Sequence, residues 1–166
     1  MKVLKVKIKT LDFLTVGSEV EGFVDIVFFR DVDGRLVIPS SSIKGVLRKA
    51  IKDCTGRDVL GELDTRFPPI YITDFHPEDG QTTVLYHVSI EDRTGKASEG
   101  KLFSREAFPP LTVFEGRIYV FKEDILEDIL SGLKCLRFET LGKGCMVDVM
   151  VEDLEDPELG RWFYAV

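Results

Sequence analysis

The clearest hydrophobic pattern in the chain lies between Ile38 and Ile51, in the sequence IPSSSIKGVLRKAI. Its apolar residues recur at three- and four-residue intervals, which place side chains on one face of a helix. Basic residues recur every four positions on another face. The pattern therefore predicts an amphipathic helix with Ile43, Val46, Leu47, Ala50 and Ile51 on its apolar face and Lys44, Arg48 and Lys52 on its basic face.

The segment before this helix has the patterns of strands. Residues 3–10 alternate apolar residues with Lys5, Lys7 and Lys9, which predicts a half-exposed strand with its lysines toward water. An Asp-Gly turn follows an apolar run and precedes a second one, which predicts a hairpin between residues 23–29 and 36–38. Residues 14–20 contain Gly17 and Ser18 and are predicted to form a turn or loop.

The order of the remaining elements predicts the fold class. Strands are predicted at 70–75, 83–90, 112–121 and 146–151, and a second helix at 122–136. Without an insertion at about 77–110, the order is strand, helix, strand, strand, helix, strand. This order predicts an α+β fold with a ferredoxin-like (RRM-like) core. The strand-like arms around EDRTGKASE at 91–99 predict a projecting β-hairpin within the insertion, and the length fits one domain over 1–166.

Composition and charge indicate the cellular compartment and the kinds of partner to expect. No apolar run approaches membrane-spanning length, and Met1 leads into a strand pattern instead of a signal peptide, so we expect a cytoplasmic protein without a membrane partner. The three cysteines, Cys54, Cys135 and Cys145, lack metal-ligand spacing and predict a reducing compartment with neither a disulfide framework nor a zinc site. The net charge of −7 argues against a polyanion-binding surface over the whole chain but leaves a local basic groove open.

The start of the predicted helix has the chemistry of a phosphate-binding site. Ser40, Ser41 and Ser42 can donate hydroxyl hydrogen bonds and cap free backbone N–H groups, and the helix start carries partial positive charge. Lys44 and Arg48 add cationic groups close by. Together these groups predict an anion site, most simply for phosphate. The alternative is a capped helix whose lysines are only solvated.

Three stretches resemble the RAMP superfamily of CRISPR-associated proteins, and most closely the repeated backbone subunit of type III (Csm/Cmr) effector complexes. IPSSSIKGVLR at 38–48 matches the family's Ile-Pro-Gly-Ser-Ser motif, although Ser40 replaces the usual glycine. HVSIEDRTGKASEGKLFSREAFPPLTVFEG at 87–116 is similar to the family's thumb hairpin and the strand after it. LGKG at 141–144 stands where the family has a late glycine-rich loop, and is shorter than usual.

This resemblance implies binding of guide RNA without sequence specificity, by copies of the chain that stack together and beside other effector subunits. The thumb of one copy would displace a base. Phosphate contacts position RNA without recognising its sequence, and the serines and basic residues of the predicted helix can make such contacts. The RNA-binding residues expected beyond the helix are Arg93, Lys96 and Lys101 on the thumb and Gly142, Lys143 and Gly144 in the late loop.

The resemblance also implies a candidate for catalysis. In type III backbone subunits, an acidic residue before the Ile-Pro-Gly motif cuts target RNA with a divalent metal, and Asp25 stands in the matching position. A carboxylate there can hold Mg²⁺ or position the attacking 2′-hydroxyl. Because an acid among apolar neighbours is costly to bury, we expect Asp25 to be exposed or paired, for example with Arg30. Asp31 and Asp33 are rival acids, although Asp33 suits a turn better.

Two other functions remain open from the sequence. The chain could be a structural subunit of the complex that carries out no chemistry. It could also be a stand-alone RAMP-family endoribonuclease that processes guide RNA, with His76 or His87 as a metal-independent base. Glycine patterns of nucleotide-binding enzymes are absent from the sequence, which disfavours a nucleotide-dependent enzyme.

Overall fold

The computed structural model describes residues 1–19, 24–61, 68–90 and 97–164. The helices are α1 (Ser40–Thr55) and α2 (Leu126–Cys135), and α2 is flanked by 3₁₀ turns at Glu123–Ile125 and Leu136–Phe138. In chain order, the strands are β1 (Lys2–Thr10), β2 (Gly17–Glu19), β3 (Ile26–Phe28), β4 (Ile70–Ile72), β5 (His76–Pro77), β6 (Thr83–Ile90), β7 (Ala97–Ala107), β8 (Val113–Val120), β9 (Val147–Asp153) and β10 (Asp156–Phe163).

The first sheet has the strand order β10-β9-β1-β8-β4, and β5 also pairs with β8. Every neighbouring pair in it is antiparallel. α1 connects β1 to the edge strand β4, and α2 connects β8 to β9. The α+β class predicted from the sequence is therefore confirmed.

Both helices pack against one face of the first sheet and bury most of the core. The predicted apolar face of α1 is confirmed, since Ile43, Leu47, Ala50 and Ile51 are each at most 1% exposed. Val46, the fifth predicted residue, is partly buried and packs against the core. They meet α2 and the alternate, inward-facing residues of β1, β8 and β9, which include Val6, Ile118 and Val149. Burial of this apolar surface is the main stabilising contribution to the fold. Within the described residues, no helix is long and apolar enough to span a membrane.

The opposite face of the first sheet carries the lysines of β1, as the alternating pattern predicted. Each lies beside a carboxylate: Lys5 is 3.0 Å from Glu115, Lys7 is 2.6 Å from Glu78, and Lys9 is 3.8 Å from Asp148. These pairs are partly exposed, so each contributes little to stability. They do, however, neutralise most of the positive charge that the sequence assigns to this strand.

A second sheet has the strand order β2-β3-β7-β6. β6 and β7 pair as an antiparallel hairpin, while the charged tip at 91–96 lies outside the described residues. β3 joins this hairpin through a parallel bridge from Ile26 to Arg105. The second sheet thus connects the segment before α1 to the segment predicted as an insertion.

The structure corrects several boundaries. The predicted loop at 14–20 contains β2, because Gly17–Glu19 pairs antiparallel with β3. The predicted hairpin at 23–38 is less regular than expected. Residue 23 lies outside the described residues, and the far arm is not a strand but meets the near arm through an Arg30–Leu36 bridge and a hydrogen bond from the Val37 N–H to the Phe29 carbonyl. The predicted strand at 70–75 is shorter in the structure, since β4 covers only Ile70–Ile72 and β5 lies beyond residue 75. β10 was not predicted at all.

The prediction that the cysteines form no disulfide was wrong. Cys54, in the last turn of α1, and Cys135, at the end of α2, are joined by a disulfide that closes 81 residues of chain. The helices bring together two cysteines that have no recognisable spacing in the sequence. Cys145 is free and buried, and this burial raises the pKa of its thiol.

Replacing Cys54 with serine is expected to lower the free energy of unfolding by about 2–4 kcal/mol, because the cross-link restricts a long loop in the unfolded chain. Urea denaturation of the oxidised wild type and the C54S variant measures the difference. Adding a reductant should destabilise the wild type by a similar amount and leave C54S unchanged. Equal stability of the two proteins under oxidising conditions would contradict a stabilising cross-link.

Candidate nucleic-acid interface

The start of α1 is capped differently from the sequence prediction. Pro39 occupies the N-cap position, and no serine side chain caps the helix. Instead, the Ser40 N–H donates to the Asp74 carboxylate at 2.8 Å, and the N–H groups of Ser42 and Ile43 both donate to the Pro39 carbonyl. The predicted serine cap is therefore wrong. The serines lie inside the first turn, and Asp74 offsets part of the positive charge at the helix start.

The basic face of α1 is partly neutralised by neighbouring acids. The Arg48 guanidinium donates twice to Asp58, at 2.8 and 2.7 Å, and these hydrogen bonds lower the pKa of the Asp58 carboxyl. Lys49 lies 3.2 Å from Asp53 and 2.6 Å from Glu139. In the part of the chain that the structure describes, Lys44 forms no ion pair. Its charge is thus available to a ligand.

Two open clefts meet at Ser41 and Lys44. One, of about 290 Å³, runs beside Ser40, Pro68 and the edge strand β4. The other, of about 340 Å³, continues along α1 past Gly45 and Arg48 to Leu60 and Gly61. None of the described residues that line either cleft is acidic. We call the two clefts together the α1 groove.

Asp25 lies just before β3 and is exposed, as expected for an acid in an apolar stretch. Its carboxylate accepts the Ser104 N–H at 2.7 Å and the Ser104 hydroxyl at 3.3 Å. Its own N–H lies 3.2 Å from the same hydroxyl oxygen. Asp25 is therefore oriented by β7, and it does not pair with Arg30, which binds Glu106 through both terminal nitrogens at 3.0 Å.

Glu106 fixes the strand that follows Asp25. Besides Arg30, it accepts the Phe28 N–H at 2.9 Å and the Thr82 hydroxyl at 3.1 Å. Burial alone would raise the pKa of the Glu106 carboxyl, but the hydrogen bonds from Arg30 and Phe28 outweigh it and the pKa is lowered. The carboxylate therefore stays ionised at neutral pH, and the position of β3 relative to β7 is well defined.

The rival acids belong to a turn. The Asp31 carboxylate accepts the N–H groups of Asp33 and Arg35 and the Arg35 side chain, and the backbone hydrogen bond from Arg35 is the main reason that the pKa of Asp31 is lowered. Asp33 lies next to Gly34, whose φ of 80° completes the turn. These contacts give both acids a structural role in the turn.

Asp25 is an incomplete metal site by itself. No group of three or more potential metal ligands occurs among the described residues. Mg²⁺ usually takes one or two protein carboxylates and completes its shell with water and substrate phosphate oxygens. An exposed, oriented carboxylate fits that pattern.

The late glycine loop has a structural role that the sequence did not indicate. Gly142 has a φ of 57°, and a Cβ there would lie 2.2 Å from the Thr15 carbonyl oxygen. The next residue, Lys143, donates its N–H to that same oxygen at 3.2 Å. Gly142 is therefore required by the chain's own packing. Gly142, Lys143 and Gly144 are all exposed, and their assignment to RNA stays a prediction.

Three predicted RNA-binding residues are left without a described contact. Arg93 and Lys96 lie outside the described residues, and for Lys101 only the backbone, in β7, is described. Their assignment to RNA stays a prediction.

The two histidines have different surroundings. The Nε2 atom of His87 accepts a hydrogen bond from Arg105 at 2.9 Å, and its ring stacks on Phe103 with centroids 5.1 Å apart. This nitrogen is thus already occupied, which weakens the case for His87 as a base. His76 is exposed beside Asp74, Glu115 and Arg117.

Comparison with known proteins identifies the family. The family model of the RAMP superfamily matches residues 7–145. The chain belongs to the RAMP superfamily. This RAMP chain is also similar to a chain in the cryo-EM structure of the type III-B Cmr-beta bound to cognate target RNA, with a TM-score of 0.69 and 16% sequence identity. The match covers 99% of the RAMP chain and 61% of the other, so the chain spans less than two thirds of that length. No curated protein matches the sequence.

Proposed function

We propose that this RAMP chain is a guide-RNA-binding backbone subunit of a type III CRISPR effector complex. The observation that carries the proposal is the α1 groove, in which Lys44 has no ion pair with a described residue and the described lining has no carboxylate. An RNA backbone can lie in such a groove, where cationic side chains and hydroxyl groups contact its phosphates. The predicted RNA-binding residues Ser40, Ser41, Ser42, Lys44 and Arg48 all lie on this part of α1.

The topology of the first sheet supports the same proposal. β9, β1, β8 and β4 lie side by side, with α1 and α2 as the crossovers, which is the arrangement expected of a ferredoxin-like core. In this proposal, the β6–β7 hairpin corresponds to the family's thumb hairpin. In the assembled complex, copies of the chain would lie along one guide RNA beside other effector subunits, in the cytoplasm.

Cleavage of target RNA is the second part of the proposal. It is favoured by the exposure of Asp25 and by the two hydrogen bonds from Ser104 that orient its carboxylate. Asp25 would hold Mg²⁺, which would supply charge stabilisation at the scissile phosphate. The role of the chain itself is to hold this carboxylate in place.

The Lys44→Ala variant tests guide-RNA binding. We expect weaker binding to a single-stranded RNA and a salt dependence of log K that is smaller by about one unit, because one phosphate contact is lost. Fluorescence anisotropy over a series of salt concentrations measures both. Lys134→Ala is the matched control, since Lys134 is an exposed lysine in the last turn of α2. Equal affinity and salt dependence in K44A and the wild type would count against the proposal.

A further inference from the structure

An aromatic patch lies on the open face of the first sheet, next to the α1 groove. Tyr71 in β4 is directly opposite Tyr119 in β8, and their ring centroids are 6.1 Å apart. Phe121 is two residues beyond Tyr119, and its N–H binds the carbonyl of Pro69, two residues before Tyr71. This hydrogen bond continues the pairing of β4 and β8 one residue past the end of β8. Because side chains two residues apart in extended, paired chain share a face, the three rings lie on one surface.

Two of the three aromatic residues are exposed, and Tyr119 is half-buried. Tyr71 is 59% exposed and Phe121 is 48% exposed, whereas the neighbours Ile70, Ile72 and Val120 point toward the helices and are buried. The open face thus has large apolar rings at its edge where the alternation would usually place polar residues. Exposed aromatic residues grouped in this way indicate a binding surface.

The charges around the patch favour an anionic partner. Tyr71 lines the same cleft as Lys44, which has no ion pair with a described residue. Arg117 lies on β8 two residues before Tyr119, is exposed, and forms no ion pair within the described residues. Two acids beside Arg117 and Lys44 are already occupied, since Glu115 pairs with Lys5 at 3.0 Å and Asp74 accepts the Ser40 N–H.

We infer that Tyr71, Tyr119 and Phe121 form a stacking surface for the bases of single-stranded RNA whose phosphates lie in the α1 groove. This inference rests on the proposed RNA binding and adds how the bases are held. A phosphate contact and a stacking contact in the same cleft can be made by one nucleotide strand, and stacking on an aromatic ring is independent of base identity. The surface therefore agrees with binding that lacks sequence specificity.

Binding of a 12-nucleotide oligoadenylate by variants of the full chain tests the inference. We expect Tyr71→Ala to bind about tenfold more weakly than the wild type, because one stacking contact is lost. Tyr71→Phe keeps the ring and should bind like the wild type. Phe138→Ala is the matched control, since Phe138 is also 59% exposed but follows α2. An abasic 12-mer should bind equally to the wild type and to Y71A.

The other outcomes separate the inference from the proposed function. If K44A weakens binding of the oligoadenylate while Y71A binds like the wild type, RNA binding stands and the stacking surface is overturned. If the wild type binds no RNA at low salt, both are overturned. If Y71A changes only the self-association of the chain, measured by sedimentation, the patch is a protein interface and the inference is wrong. Thermal melting of each variant verifies that the fold is intact.

Discussion

Replacing Asp25 with asparagine is expected to reduce Mg²⁺-dependent cleavage of target RNA by about 100-fold or more in the assembled complex, the size of effect seen when one electrostatic group is removed from an active site. Asparagine keeps a side-chain oxygen that can accept the Ser104 hydrogen bonds but removes the negative charge that, in the proposed function, would hold Mg²⁺. The variant should therefore fold normally and bind guide RNA like the wild type. Gel analysis of labelled target RNA measures the cleavage rate.

Asp33→Asn is the matched control for this experiment. Asp33 is an exposed acid only a few residues away, and its neighbours place it in a turn. The D33N variant should leave the rate of target-RNA cleavage unchanged. Full cleavage by D25N would remove Asp25 from the mechanism. A wild-type complex that binds target RNA without cutting it would identify the chain as a structural subunit.

Replacing Gly142 with alanine is expected to lower the free energy of unfolding by about 3–5 kcal/mol. The left-handed backbone at this position is unfavourable for alanine, and its Cβ would collide with the backbone oxygen of Thr15, so main chain must shift. Urea denaturation of the purified chain measures the loss of stability.

Gly144→Ala separates the two causes. Gly144 also has a positive φ, of 85°, but a Cβ there would meet nothing within 4 Å. Its replacement should cost only about 1–2 kcal/mol, from the backbone conformation alone. If the two variants were equally stable, close packing against Thr15 would not be the reason for the glycine at 142.

The sequence predicted those features that depend on local periodicity. The apolar face of α1 and the lysine alternation of β1 follow from residues a few positions apart, and both are confirmed. The errors involve partners that are distant in sequence. Asp74 caps a helix 34 residues earlier, and Cys54 meets Cys135 across 81 residues. No local pattern contains such contacts, because the fold alone brings them together.

In the candidate site, too, the features set by local spacing were predicted and those set by distant contacts were not. The basic residues of α1 were identified from their spacing, but which of them keeps a free charge depends on Asp58 and Glu139, which come from other parts of the chain. Likewise, Ser104 orients Asp25 only because β7 passes beside it. Tyr71 and Tyr119 were missed because two tyrosines in separate strands form a surface only after the strands have paired.

The pairing of Arg48 with Asp58 has a consequence for how strongly one molecule can hold RNA. With that charge compensated, Lys44 is the one cation of the described groove lining without an ion pair, so a single protomer should dissociate quickly from a short oligonucleotide. Several protomers on one long strand would each rebind before the others release it, since a tethered site acts at high effective concentration. Residence time should therefore rise steeply with the length of the RNA.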